Sequence, residues 1–444
     1  MSASRVLGIA DTDSYVKWSS ALLGAAPANW HVSLFILETP MVVSERQQRA
    51  ALAGSGMDDA AVRRGSFDEL TTALADDPPD AVVIGARGPL ARVLARTVAE
   101  HAPHAVLATG LPGVSIPATR RALIYRDQCD LFVVHSHRER RAFTGLADEY
   151  GFGQDFALAT LPFAARGRDA RPASGTDLVF AAQALVPRER PERMRVARLL
   201  VRAAKSDPTR RVVLKVRGTK GEQQTHAEQD AYPDLLAELG ELPPNLEISS
   251  APMRSALATA QGLVTISSTA AIEAIALGIP VIALDTFGVS RALINEAFAD
   301  SGLLGGEDNV IARRFRDPDA GWTADNYLHD PRDDDWTWVL ADLVRRRREG
   351  TLPRRPAPAR RGGRFRDAWD RKLVLGPLDR SAEGRAAVVV GVPLRAGLRV
   401  VNRVRRVVKG ERPAVTSTPI AMGSAPVTGL SSNLAAQPQP PVIR

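Results

Sequence analysis

The chain has 444 residues, 45% apolar and 24% charged, enough for two domains that each bury a core. Its charge is unevenly spread: residues 1–344 hold 36 Lys and Arg against 44 Asp and Glu, residues 345–410 hold 20 against 5, and the last 34 add one positive charge to reach the overall +8. An acidic body with a basic C-terminal segment argues for a local anionic partner, membrane or RNA, and the lack of aromatic residues among the basic ones argues against nucleic acid. A single cysteine, Cys129, excludes an internal disulfide.

The first half alternates short apolar strands with helical stretches. Strands are predicted at Arg5 to Ala10, His31 to Leu37, Ala81 to Gly85, Ala105 to Thr109 and Leu131 to His135, with helices over Ser14 to Ala25 and from Arg138. That alternation predicts a parallel sheet covered on both faces. Arg166 to Thr176, rich in Gly, Arg, Pro and Ser, reads as a linker. A second series then begins, with strands at Asp177 to Ala182, Arg211 to Val216, Leu246 to Ser249, Leu263 to Ile266 and Pro280 to Leu284, and helices over Pro191 to Lys205 and Asp234 to Leu239. The expected architecture is therefore α/β, with two doubly wound parallel-sheet domains at 1–170 and 177–330. Their strand C-termini face a ligand cleft. Residues 331–382 read as closing helices anchored by Trp336, Trp338 and Trp369.

From 383 to 409 the chain turns basic and amphipathic. On a helical wheel Leu394, Leu398, Val400, Val401, Val404, Val407 and Val408 share an arc, with Arg395, Arg399, Arg403, Arg406 and Lys409 on the other and Arg405 intruding among the apolar residues. This pattern predicts an interfacial helix that holds residues 384–409 on an anionic membrane surface. Residues 410–444, rich in Pro, Ser, Thr and Ala, read as a disordered tail. The N-terminus carries no secretory signal pattern, and no apolar run reaches the roughly 18 to 20 residues needed to span a bilayer. A cytoplasmic protein, peripheral on the inner face of the plasma membrane, is expected.

The most informative stretch runs from Gly262 to Asp285. An apolar strand enters Ser267-Ser268-Thr269, then an Ala-rich helix carrying Glu273, then a Gly-Pro turn and another strand. The first N–H groups of a helix have no intrahelical partner and sit at the positive end of its dipole, so hydroxyls placed there complete a cradle for a phosphate. The alternative is Ser and Thr acting as ordinary N-caps. Glu273, four residues beyond Thr269, lies one turn along the same face, where a carboxylate can take both hydroxyls of a ribose.

Lys215, Arg217, Gly218 and Thr219 close the strand at 211–216 with cations and exposed N–H groups suited to a diphosphate, and Gln183 ends the strand before it. In the first half Asp11 and Asp13 follow the first strand, where a carboxylate can deprotonate an acceptor hydroxyl; helix capping is the competing role. His135 ends another strand and offers a second basic candidate, and His137 beside it is placed on the acceptor side. They do not make a metal site, and none is expected. The loop containing Gly110 is placed on the acceptor side.

Taken together, A-D-T-D-S-Y-V-K-W, C-D-L-F-V-V-H-S-H-R-E-R, K-V-R-G-T-K-G-E-Q-Q-T-H and S-S-T-A-A-I-E-A-I-A-L-G-I-P-V-I-A-L-D resemble a glycosyltransferase family of high-GC Gram-positive bacteria. That family is related to the capsule-polysaccharide and polysialyltransferase-like enzymes. The resemblance, over roughly residues 5–340, implies a GT-B fold of two Rossmann-like domains and a nucleotide-sugar donor as co-substrate with no cofactor. It also implies closing helices that cross back to the first domain. A cell-surface glycan or lipid-linked acceptor is expected. Related capsule enzymes carry a His-Pro motif where this chain has Arg217-Gly218. A sugar-nucleotide 2-epimerase of the same fold, or a noncatalytic nucleotide-binding protein of envelope assembly, are the alternatives.

Overall fold

Continuous apolar runs such as A-V-V-I-G and D-L-V-F-A become strands buried along their whole length, because helices cover both faces of the sheets they join. The computed structural model describes residues 4–162, 164, 175–216, 230–354, 363–391 and 393. It divides into one compact unit, Met1–Val388, and a second, Val389–Arg444, of which only residues 389–391 and 393 are described.

The first half runs β1 (Arg5–Ala10), α1 (Asp13–Gly24), β2 (His31–Leu37), α2 (Glu45–Leu52), β3 (Val62–Gly65), α3 (Phe67–Asp76), β4 (Ala81–Gly85), α4 (Gly88–His101), β5 (Val106–Gly110), α5 (Arg120–Ile124), β6 (Leu131–Val134), α6 (His137–Tyr150) and β7 (Asp155–Leu158). The seven strands are parallel in the order β3-β2-β1-β4-β5-β6-β7. The second half runs β8 (Asp177–Ala181), α7 (Arg190–Ser206), β9 (Val212–Lys215), α8 (Tyr232–Ala237), β10 (Leu246–Ser249), α9 (Met253–Leu257), β11 (Ala260–Thr265), α10 (Ala270–Ala276), β12 (Val281–Leu284), β13 (Leu304–Gly305), α11 (Glu307–Ile311) and α12 (Ala320–Asp325). Its six strands are parallel in the order β10-β9-β8-β11-β12-β13.

In both sheets the strand order reverses beside the first strand, between β1 and β4 and between β8 and β11. Such switch points open a crevice at the C-terminal ends of the strands, because the flanking connections leave toward opposite faces.

The chain then returns to the first sheet. Asp335 accepts a hydrogen bond from the Leu158 N–H at 2.7 Å, and α13 (Trp336–Arg348) buries Trp336, Leu340, Leu343 and Val344 in the first domain's core. Trp336 meets Trp30 edge-on at 6.1 Å, and Arg347 reaches the buried Asp130 at 3.0 Å. In α14 (Gly363–Leu375), Leu375 joins the cluster around Leu70 and Leu90 while Trp369 packs with Ala387. Of the three tryptophans expected as anchors, Trp338 is not one. It is 68% exposed, because it projects from the face of α13 opposite the buried row. No helix among the described residues is long and apolar enough to cross a membrane. The basic stretch 394–409 and the tail 410–444 lie outside the described residues.

Candidate active site at the two switch points

Both halves of the Ser-Ser-Thr turn are held by neighbouring strands. Gln183, just past β8, accepts from the Ser267 N–H at 2.9 Å and donates Nε2 to the Ser267 hydroxyl at 3.0 Å. Thr265 Oγ1 accepts from the Ser268 N–H at 3.2 Å and donates to the Ala181 carbonyl at 3.2 Å. Gln183, expected to reach the cleft itself, instead fixes the first serine of the turn across the β8–β11 switch point.

The start of α10 departs from the expectation of several unpartnered N–H groups. Thr269 already has helical dihedrals, so the turn closes early. Ala270 N–H donates to Ser268 Oγ at 3.2 Å, Ala271 N–H to the Ser268 carbonyl at 3.0 Å and Ile272 N–H to the Thr269 carbonyl at 3.1 Å. Among the described residues, the Thr269 N–H and hydroxyl have no partner, and Ser268 uses its hydroxyl oxygen as an acceptor, which leaves its O–H to donate. The donors for an anion here are thus mainly hydroxyls. Ser267 is buried and Ser268 and Thr269 are half-buried.

A cavity of about 430 Å³ is lined from the second half by Glu273, Leu277, Pro252, Met253 and Arg254 and from the first by Asp13, Lys17, Gln47 and three alanines of the α2 region; the Ser-Ser-Thr residues themselves do not line it. The spacing of four residues sets Glu273 and Leu277 on one face of α10 and Asp13 and Lys17 on one face of α1. Gln47 is steadied by a capping box in which its Oε1 accepts from the Ser44 N–H at 2.8 Å. The cavity therefore has carboxylates and cations from both halves with apolar surface between them. The volume lies in the range of ligand pockets, roughly 300 to 1,000 Å³.

The other predicted residues are placed as follows. Asp11 is fully buried, its Oδ2 2.8 Å from Arg87 Nε; burial raises its carboxyl above the ordinary carboxylate range, against the pull of Arg87. It does not line the cavity, so of the two acids after β1 only Asp13 does. Contrary to its reading as a base, His135 is sealed in the core. Its Nδ1–H donates to the Ala159 carbonyl at 2.7 Å, and its Nε2 accepts from Trp18 Nε1–H at 2.8 Å. Burial depresses its pKa, which keeps the ring neutral.

His137 opens α6 with Nε2 3.1 Å from Asp333, and it packs edge-on against His329 at the crossing of the chain. Gly110 is a packing position, not an acceptor contact: a Cβ there would lie 2.5 Å from the Trp18 ring. Lys215 turns its ammonium back to the Val216 carbonyl. Arg217, Gly218 and Thr219 lie outside the described residues. Sequence reasoning passed over Arg87, Lys17, Gln47 and Arg254. The i, i+4 spacing of Asp13 and Lys17 was a usable signal; nothing local marked Arg87.

One cross-domain approach brings the loop after β5 to the Ser-Ser-Thr turn. Gly113, in the loop after β5, comes so near Thr269 that a Cβ on it would lie 2.8 Å from Thr269 Cγ2. On the far side, buried Glu139 of α6 accepts from Tyr327 Oη at 2.7 Å, from the Ser115 N–H at 2.7 Å and from the His135 N–H at 2.8 Å.

Two facing Rossmann-like domains, with closing helices that return to the first, define the GT-B fold. The chain belongs to the family described as "Putative glycosyltransferase (DUF6716)", which it matches over residues 6–343. A solved UDP-N-acetylglucosamine 2-epimerase is similar in fold at a TM-score of 0.50 and 12% identity, covering 81% of this chain and all of that one. The S. aureus MnaA–UDP structure is similar at 0.48 and 11%, covering 80% of this chain and 99% of that one. The pneumococcal O-GlcNAc transferase GtfA, solved with UDP and GlcNAc, is similar at 0.43 and 11%, covering 79% and 96%. No curated protein sequence matches the chain.

Proposed function

We propose that the protein is a glycosyltransferase that moves a sugar from a nucleotide-sugar donor to a cell-envelope glycan or lipid-linked acceptor. The observation that carries this reading is the cavity lined by Asp13 from the first half and by Glu273 from the second, Glu273 lying one helical turn beyond Thr269. In it Glu273 accepts from the ribose hydroxyls, and the apolar surface of Pro252, Met253 and Leu277 lies against the base. The hydroxyls of Ser268 and Thr269 with the Thr269 N–H meet the diphosphate. In an inverting transfer the acceptor oxygen bonds to the anomeric carbon, the bond from that carbon to the diphosphate oxygen breaks, and Asp13 takes the hydroxyl proton. The nucleoside diphosphate leaves, its charge stabilised by the oriented donors. Residues 384–409 hold the enzyme on the anionic inner leaflet beside such an acceptor.

The test is a panel of UDP-, GDP- and CMP-linked sugars, followed for nucleotide release and for epimerisation. Nucleotide release is expected, and Asp13→Asn should lower it about a hundredfold or more while nucleotide affinity holds. Epimerisation without release would replace this reading with that of an epimerase. Wild-type turnover in Asp13→Asn would leave Asp13 only a favourable charge at the start of α1.

A further inference from the structure

The switch point of the first sheet carries a cationic site that the donor does not use. Asp11 follows β1 and Arg87 follows β4, so they straddle the point where the strand order reverses. Arg87 meets Asp11 through Nε alone, at 2.8 Å. Other arginines of the protein meet carboxylates through one nitrogen, as Arg195 meets Glu307, or through two. Arg211 places Nε at 3.1 Å and Nη2 at 2.5 Å from the buried Asp177, and Arg141 places Nη1 and Nη2 at 2.8 and 2.6 Å from Asp325. Among the described residues Nη1 and Nη2 of Arg87 have no partner, and its side chain is 34% exposed over an Asp11 that is 0% exposed. The fork is anchored from behind and open in front.

A second cation raises the positive potential at the same edge. Arg126 is fully buried with only neutral acceptors around it: Thr109 Oγ1 at 3.2 Å, Tyr15 Oη at 3.0 Å and the carbonyls of Ala86 at 2.9 Å and Ala122 at 3.3 Å. Through the carbonyl of Ala86, the residue before Arg87, the buried Arg126 guanidinium lies close behind Arg87 and adds a positive charge in a low-dielectric setting. At the rim, Tyr125 packs against Gly88 and carries the Arg121 guanidinium 5.5 Å from its ring centre. An anion received here would balance this surplus and fill the free fork of Arg87, whose planar nitrogens suit phosphate and carboxylate oxygens alike.

We infer that Arg87, set by Asp11 and flanked by Arg126 and Arg121, binds an anionic group of the acceptor, either a phosphate or a sugar carboxylate. This inference rests on the glycosyltransferase reading for the word acceptor, but the anion site stands on its own geometry. β5, beside β4, leads into the loop whose Gly113 meets Thr269, so the same end of the sheet carries the anion site and the approach to the Ser-Ser-Thr turn.

The test uses the full-length protein saturated with UDP, so that the donor's phosphate site is filled. Methyl phosphate and glucuronate are titrated as probes of the two sources of charge, with UDP affinity measured in parallel. One of the probes is expected to bind saturably, and which one does so names the acceptor's charge. Arg87→Gln, which still offers an amide N–H to Asp11, should weaken that probe about tenfold or more, with UDP affinity unchanged. Arg121→Ala, on the exposed rim, should weaken it less and guards against a folding defect in the first variant. If neither probe binds the UDP-loaded protein, or if Arg87→Gln and Arg121→Ala both bind the probe as wild type does, the inference fails while the donor site stands. If UDP does not bind but a probe does and is lost in Arg87→Gln, the anion site stands and the donor reading fails.

Discussion

Acidification tests whether His135 belongs to the core or to the chemistry. Protonating Nε2 breaks its bond from Trp18 and puts a charge in a site without solvent, which is why the folded pKa lies below that of an ordinary imidazole. The nearby Glu139 carboxylate and the Leu111 carbonyl, 3.1 Å from Nε2, offset only part of that cost. A depressed folded pKa means that the stability from the neutral ring is fully present above the unfolded value. It is lost as the pH falls from there through the folded pKa, because the unfolded chain binds the proton first. One proton sets the ceiling at about 1.4 kcal/mol per pH unit. Urea unfolding between pH 8 and 5 should show the stability advantage of wild type over His135→Gln holding steady above about pH 6.5 and shrinking below it. An advantage constant across the range would refute a buried neutral imidazole. A bell-shaped loss of turnover confined to His135→Gln, with no stability change, would return His135 to the list of bases.

Two further predictions bear on packing and location. Gly110→Ala forces a methyl into the Trp18 ring and the Val133 carbonyl, and should destabilise the protein by about 1 to 3 kcal/mol in the same unfolding assay; an unchanged midpoint would show that Trp18 can move aside. Because Ala387 packs on Trp369, the membrane segment is best removed by truncation after Pro393. The truncated protein should stay in the supernatant with anionic vesicles at low salt while the full chain sediments, and equal partitioning would remove the membrane role.

Much of the architecture was legible because both sheets are buried on two faces, which makes their central strands unbroken apolar words such as L-F-V-V and V-I-A-L. Of the edge strands only Leu246–Ser249 was. Val62–Gly65 reads V-R-R-G and has only one neighbour, so solvent accepts its arginines; Leu304–Gly305 is two residues long. The Ser-Ser-Thr turn was visible from its hydroxyls and its place between two strands. That its N–H groups are largely consumed by Ser268 and Thr269 depends on dihedral angles no composition reveals. His135 and Asp11 were misjudged for a shared reason. Both end strands at the cleft edge, but whether such a residue meets ligand or core is decided by distant partners, Trp18 in one case and Arg87 in the other. Gly110 fell to the same blindness, since only the Trp18 ring explains it.

The Ser-Ser-Thr turn and Glu273 are proposed to hold the donor's nucleotide. Calorimetric titration of UDP, GDP and CMP into wild type, Ser268→Ala and Glu273→Gln tests it most directly. At least one nucleotide should bind wild type. Ser268→Ala should lose about 1.5 to 3 kcal/mol of affinity through one hydrogen bond to a charged group. Glu273→Gln should weaken the ribonucleotide more than its 2′-deoxy form. Nucleotide affinity unchanged in both folded variants, or no binding to wild type at all, would contradict the account.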